Sequence, residues 1–109
     1  MRFSVLATRT FERKLKQLAK KYLSIAGDLE ILEEQLKQNP TLGTPLGKDC
    51  YKIRMVITSK REGKSGGARI ITYVRIVKNT VYLLNIYDKS EQETVSDKDI
   101  RKSIDKLAE

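Results

Sequence analysis

The stretch that decides the fold is residues 50–77, CYKIRMVITSKREGKSGGARIITYVRIV. It opens on an alternation of period two. Tyr51, Ile53, Met55 and Ile57 take one phase; Lys52, Arg54 and Val56 take the other. That pattern predicts a strand with one face on a core and the other towards solvent. Lys52 and Arg54 then point the same way, about 7 Å apart along the strand. The loop Lys60–Gly67 follows, with three cations and three glycines, and cannot bury itself. From Ala68 to Val77 the alternation resumes. Arg69, Ile71, Tyr73 and Arg75 share one phase, and Ile70, Thr72, Val74 and Ile76 the other.

The flanking segments extend this pair of strands. Lys78-Asn79-Thr80 reads as a tight turn into a third strand of the same sheet, Val81 to Tyr87, with Val81, Leu83, Asn85 and Tyr87 on one face. Upstream, Thr41–Lys48 contains Gly43, Pro45 and Gly47 and reads as a loop. Before it lie two helical stripes. Phe11, Leu15, Leu18, Ala19 and Tyr22 follow a hydroxyl cap at Thr8–Thr10; Ile25, Leu29, Leu32 and Leu36 follow Ser24 and stop at Asn39-Pro40. So short a link predicts an antiparallel hairpin of helices. Phe3–Ala7 is short enough for a first strand. Ser96, Asp97 and Asp99 open a C-terminal helix with Ile100, Ile104 and Leu107 on its apolar side.

The expected fold is α+β: an antiparallel twisted β-sheet, an N-terminal helical hairpin packed on one face, and a C-terminal helix, in one domain over residues 1–109. With helices on one face, the other face is expected to stay open. It would hold Lys52, Arg54, Arg69, Arg75 and Tyr87.

Charge is concentrated where those residues lie. Net charge is +8, with +3 in residues 1–47, +7 in residues 48–78 and −2 in residues 79–109. A localised excess is an electrostatic footprint for a polyanion, because each neutralised phosphate releases condensed counterions. An acidic protein partner fits the same excess. No apolar run approaches the roughly 20 residues that span a bilayer, and no N-terminal signal is present, so no membrane role is expected. Histidine is absent and Cys50 is the single cysteine, which suits a reducing cytosol and leaves no disulfide framework. The same counts exclude histidine-based zinc sites and Ser-His-Asp or Cys-His catalysis, and no cofactor or metal is expected.

A row of cations on an open sheet face suits phosphate, since the arginine fork donates two parallel hydrogen bonds to its oxygens. In the loop, Lys60, Arg61 and Lys64 are candidate RNA contacts, with Arg75 beyond them. Gly63-Lys64-Ser65 is not a Walker A motif: the glycine required five residues upstream is Thr58, and a strand follows rather than a helix. Cleavage by the RNA's own 2′-hydroxyl needs a base, charge stabilisation at the phosphorane and an acid. Without histidine the base is a lysine crowded by other cations, or a tyrosine, which makes Lys52 the candidate base and Arg54 and Arg69 the charge clamps. Tyr87 offers a stacking platform for a base, and Lys89 a further acid or phosphate contact. Solvation of an open face by these cations is the alternative reading. Tyr51, on the core phase, is expected to be structural, and Cys50 a small buried hydrophobe.

The helix hairpin, Asp49-Cys-Tyr-Lys-Ile-Arg54, Gly63-Lys-Ser-Gly-Gly-Ala-Arg69 and Leu83-Leu-Asn-Ile-Tyr-Asp-Lys89-Ser-Glu91 together resemble the RelE/ParE superfamily of type II toxin–antitoxin toxins, closest to its RelE- and HigB-like branch. The resemblance implies a small cytoplasmic toxin that cleaves mRNA without metal, usually in the ribosomal A site, and inhibits translation. It implies a cognate antitoxin as partner, the chain being a monomer or part of a toxin–antitoxin hetero-oligomer. The family's catalytic cations fall here on Lys52, Arg54 and Arg69, and the tyrosine and lysine of HigB-like members on Tyr87 and Lys89. RelE itself adds an arginine after the fourth strand and a tyrosine near the C-terminus. Here Lys89-Ser90 stands near the first, and no tyrosine follows Tyr87. The ParE branch, which poisons DNA gyrase, and a non-catalytic nucleic-acid or antitoxin-binding module are the alternatives.

Overall fold

The structure, a computed structural model, describes residues 2–60, 66–91 and 94–107. Its elements are β1 (Ser4–Ala7), α1 (Arg9–Ala19), α2 (Ile25–Gln38), β2 (Thr44–Gly47), β3 (Cys50–Met55), a 3-10 turn (Thr58–Lys60), β4 (Ala68–Arg75), a second 3-10 turn (Ile76–Lys78), β5 (Thr80–Asp88) and α3 (Asp97–Leu107). The five strands form one sheet in the order β1-β5-β4-β3-β2. The sheet is antiparallel from β2 to β5, and β1 joins β5 in parallel.

Local chemistry starts the helices. The Thr8 hydroxyl accepts from the Phe11 N–H at 3.2 Å and donates to the Leu83 carbonyl at 3.0 Å, capping α1 and tying it to β5. Ser24 makes no such cap; its hydroxyl donates to Asp28 instead. In α3, the Ser96 hydroxyl accepts from the Asp99 N–H at 3.1 Å, and Asp97 and Asp99 sit in the first turn.

The hairpin packs on one face of the sheet. Phe11, Leu18, Ile25, Leu29, Leu32 and Leu36 are buried there against Ile53, Met55, Ile57, Ile70, Val74, Val81, Leu83 and Ile86. Tyr51 is half-buried against the same core. Each such aliphatic or aromatic side chain contributes about 1.5–3 kcal/mol when fully buried.

Four expectations are corrected. The opposite face is not open: Cys50, Ile71, Leu84, Tyr87 and Val95 form a second buried cluster, and Ile100, Ile104 and Leu107 of α3 pack against it with Tyr73 and Tyr82. An apolar stripe on α3 has to be covered by something, and this face supplies the partner. Residues 44–47 are a strand rather than a loop, an edge strand held to β3, where Pro45 is tolerated because one side carries no ladder. β4 ends at Arg75; Ile76 and Val77 turn outward and are exposed. Finally, Ile71 pairs with Asn85 and Thr72 with Leu83, so Leu84 is an extra residue, a β-bulge. The bulge inverts the phase of β5. Val81 and Leu83 face the hairpin, while Leu84 and Tyr87 face α3.

Candidate functional site

The strand register assembles the candidate residues. Arg54 on β3 is opposite Arg69 on β4, and Arg69 is opposite Tyr87 on β5. Directly opposed residues share a face, so the three form one row across the sheet. Two residues along, Lys52, Ile71 and Asn85 form the next row. Cys50 and Ile71 lie in the α3-side cluster, which fixes the side on which both rows project.

Exposure falls across the row. Arg54 is exposed, whereas Arg69 and Tyr87 are each 4% exposed. Lys52 is half-buried. Arg69 donates to the Ala68 carbonyl at 3.2 Å. Burial pushes the Tyr87 hydroxyl above the ordinary tyrosine value, against smaller opposing pulls from Thr94 and Arg69. The hydroxyl therefore holds its proton at neutral pH and is a donor rather than a base. The Cys50 thiol is buried and pushed up to about 11, mainly by burial, so it is a neutral packing group and no nucleophile.

Lys89 follows β5 and is half-buried; its backbone N–H donates to the Gly67 carbonyl at 3.0 Å, fastening it beside the start of β4. Arg75 sits at the far end of β4, six residues or about 20 Å from Arg69, and is not part of the row. Arg61 and Lys64 lie outside the described residues.

Lys60 is held away from the row. Its ammonium forms an ion pair with Asp88 at 2.8 Å, with side chains 10% and 0% exposed, and also donates to Ser90 at 2.9 Å. Asp88 further accepts from the Tyr22 hydroxyl at 2.6 Å and from the Ser90 hydroxyl at 2.7 Å. Burial alone would raise the Asp88 carboxyl, but the hydrogen bonds from Lys60, Tyr22 and Ser90 outweigh it and hold it well below the usual carboxylate range. Burial would likewise lower Lys60, and Asp88 outweighs it and raises it. Beside this cluster, Asp28 accepts from the Thr58 N–H at 2.9 Å and the Thr58 hydroxyl at 2.5 Å. The Thr58–Lys60 turn is thus clamped from α2 and from β5.

Sequence reasoning missed Asn85 and the Asp88 cluster. Asn85 is 7% exposed and its Oδ1 has no hydrogen-bond partner among the described residues. Its one sequence signal was a lone amide inside an apolar run. Asp88 gave none, since Lys60 is 28 residues away along the chain. Among the described residues no cluster of three or more His, Cys, Asp or Glu side chains could hold a metal ion. Nor is any described helix long and apolar enough to cross a membrane.

Strand order and the placement of the three helices define a small α+β protein of the RelE fold. A mutant RelE toxin of E. coli in the free state matches with a TM-score of 0.65 and 14% identity, over 98% of this chain and 99% of that one. The RelBE2 toxin–antitoxin complex from Mycobacterium tuberculosis matches with a TM-score of 0.60 and 20% identity, over 81% of this chain and 92% of that one. The intact RelBE toxin–antitoxin complex of E. coli gives 0.61 and 17%, over 79% and 95%. The chain matches no protein-family model.

Proposed function

We propose that this chain is the toxin of a type II toxin–antitoxin pair, an endoribonuclease that inhibits translation by cleaving mRNA on the ribosome. The observation that carries the reading is the cross-strand row Arg54–Arg69–Tyr87, flanked by Lys52, on a fold shared with RelE. Two solved neighbours are toxin–antitoxin complexes, which supports an antitoxin as partner.

In this reading the phosphodiester lies over the row. Lys52 takes the proton from the RNA 2′-hydroxyl, whose oxygen attacks the adjacent phosphorus. Arg54 and Arg69 stabilise the charge on the non-bridging oxygens. The bond from phosphorus to the 5′-oxygen breaks, and Tyr87 or Lys89 delivers the proton to that oxygen. The products are a 2′,3′-cyclic phosphate and a 5′-hydroxyl, with no metal in the balance. Because Tyr87 is buried in one cluster with Val95 while Arg54 is exposed, RNA enters from the Arg54 side.

Induction in growing cells, followed by primer extension on cellular mRNA, tests the reading. Cuts within translated codons are expected, and Arg54→Ala, at an exposed position, should reduce them by about 10²–10³-fold with the fold intact. DNA breaks with intact mRNA would overturn it.

A further inference from the structure

In sequence Lys60 is the first cation of the basic loop, but the fold turns it inward. Its ammonium donates to the Asp88 carboxylate at 2.8 Å, to the Ser90 hydroxyl at 2.9 Å and to the Gly66 carbonyl at 3.3 Å. It also lies 5.4 Å from the centre of the Tyr22 ring. The Asp88 side chain is fully buried and accepts from Lys60, the Tyr22 hydroxyl, and the Ser90 hydroxyl and N–H. Moving a carboxylate held in this way breaks several hydrogen bonds at once, one of them to a charge. The pair sits behind the candidate row. Asp88 opposes Ala68, one step beyond the Arg69–Tyr87 pair. It shares the strand phase of Ile86, on the hairpin side where Tyr22 packs, while Tyr87 faces α3. The chain then leaves β5 in a turn. The Glu91 N–H donates to the Asp88 carbonyl and the Lys89 N–H to the Gly67 carbonyl, each at 3.0 Å. Asp88 and Ser90 are held by Lys60, and Glu91 pairs with Lys21. Lys89 is the one residue of 88–91 whose side chain makes no hydrogen bond or ion pair with the described residues. Its neighbours are fixed and its ammonium is uncommitted, about 7 Å along the strand from Tyr87.

Resting on the ribonuclease reading for the substrate, we propose that Lys60 and Asp88 are positioning residues. The buried pair fixes the turn that presents the Lys89 ammonium to the phosphodiester on the Arg54–Arg69–Tyr87 row. Lys60 is then no RNA contact; it acts through Lys89. Two observations favour this role over plain stabilisation. First, the contacts converge on one turn, the one that carries Lys89 and follows Tyr87, and they tie it to Gly66 and Gly67 at the start of β4. Second, an apolar pair of similar volume often stabilises a fold as well as a buried ion pair does. Such a pair could fill the space of Lys60 and Asp88. It could not hold the Ser90 hydroxyl and N–H or the Gly66 carbonyl, which are the contacts that set the turn.

The test is a double-mutant cycle on the full chain, read as single-turnover cleavage of mRNA on programmed ribosomes. Lys60→Met/Asp88→Leu should melt close to wild type yet cleave about 10²-fold more slowly, the scale of a catalytic group misplaced by about 1 Å. In a Lys89→Ala background the same two substitutions should slow cleavage by less than about threefold, because the presented group is already gone. Ser90→Ala, at an exposed position, leaves the buried pair in place and serves if the apolar pair does not fold. It should slow cleavage about five- to tenfold, the worth of one hydrogen bond, and only when Lys89 is present. Hydrogen exchange gives a reading without substrate. In either variant the Lys89 N–H should exchange faster than in wild type, with Ile70 and Val81 unchanged. A wild-type cleavage rate in folded variants overturns the proposal. So does an equal loss with and without Lys89, which marks a general distortion of the sheet, or unchanged exchange at Lys89. If the wild-type chain cuts no RNA, the ribonuclease reading fails, and exchange at Lys89 alone decides whether the pair sets the turn.

Discussion

Arg69 and Tyr87 stand opposite each other on β4 and β5, each 4% exposed, and Tyr87 packs in one buried cluster with Val95. A buried guanidinium beside a tyrosine held in its protonated form is a preorganised pair: its dipoles are set before any substrate arrives, and water is largely excluded. Arg54 extends that pair to the exposed margin of the sheet. The row thus runs from an exposed end on β3 to a buried end on β5.

The Lys60–Asp88 pair should dominate the pH dependence of stability. Asp88 is held below its ordinary value, as is Asp28 through Thr58 and Ser24. Their contributions are therefore full above about pH 4, the unfolded carboxylate value, and fade as pH falls below it. Lys60 and Tyr22 are held above theirs, so their share is full below about pH 10 and fades as pH rises further. The melting temperature is expected to be flat between the two limits and to drop outside them. Asp88→Asn removes the buried carboxylate charge beside the Lys60 ammonium and should cost about 3–5 kcal/mol at neutral pH; Lys60→Met/Asp88→Leu should recover most of it. A double variant no more stable than Asp88→Asn, by urea unfolding, would show that the pair is not coupled.

A core substitution should stabilise the fold. Thr72 is fully buried and its hydroxyl has no hydrogen-bond partner among the described residues. Thr72→Val keeps the shape and removes the unmatched hydroxyl, for an expected gain of about 1 kcal/mol. Calorimetry should show a melting temperature about 4–8 °C higher. An unchanged or lower value would mean that the hydroxyl is satisfied in solution.

At Gly43, φ is +107°, and a Cβ there would lie 2.6 Å from the Lys52 carbonyl oxygen and 2.9 Å from Ile53. Both the backbone angle and the contact with main chain forbid a side chain. Gly43→Ala should therefore destabilise by more than about 1 kcal/mol and detach β2 from β3, read as faster amide exchange along residues 44–47. Gly47→Ala meets open space although its φ is +88°, and should cost less.

The parts of this architecture written as periodic hydrophobicity were legible. The alternation of Ile53 and Met55 with Lys52 and Arg54 set the inner face of β3, and the stripes of α1 and α2 set the hairpin core. The illegible parts have physical reasons. Every residue of β2 is exposed, so burial wrote no pattern into it. Val81–Tyr87 is apolar throughout except Asn85, which hides a one-residue bulge and with it the phase of β5. The second core joins residues as distant as Cys50 and Val95, a pairing set by tertiary packing rather than by any local signal. In the candidate site, the placement of Arg54 beside Arg69 follows from the alternation once the register is known. The removal of Lys60 to a buried carboxylate does not.

Tyr87 separates two roles that one residue can play. As a stacking platform it needs only its ring, so Tyr87→Phe would cut RNA within a few-fold of the wild-type rate. As the acid for the 5′-oxygen it needs its proton, and the variant would lose about 10²–10⁴-fold in the cleavage step with RNA affinity unchanged. The geometry favours the second role: the hydroxyl is buried, retains its proton past the ordinary tyrosine value near pH 10, and lies against the Arg69 charge. An acid with a raised pKa stays loaded across the neutral range, so wild-type single-turnover cleavage should not fall on the alkaline side until pH passes about 10. Tyr87→Phe should remove that alkaline limb along with most of the rate. A variant that keeps the rate would return Tyr87 to stacking and leave Lys89 to deliver the proton.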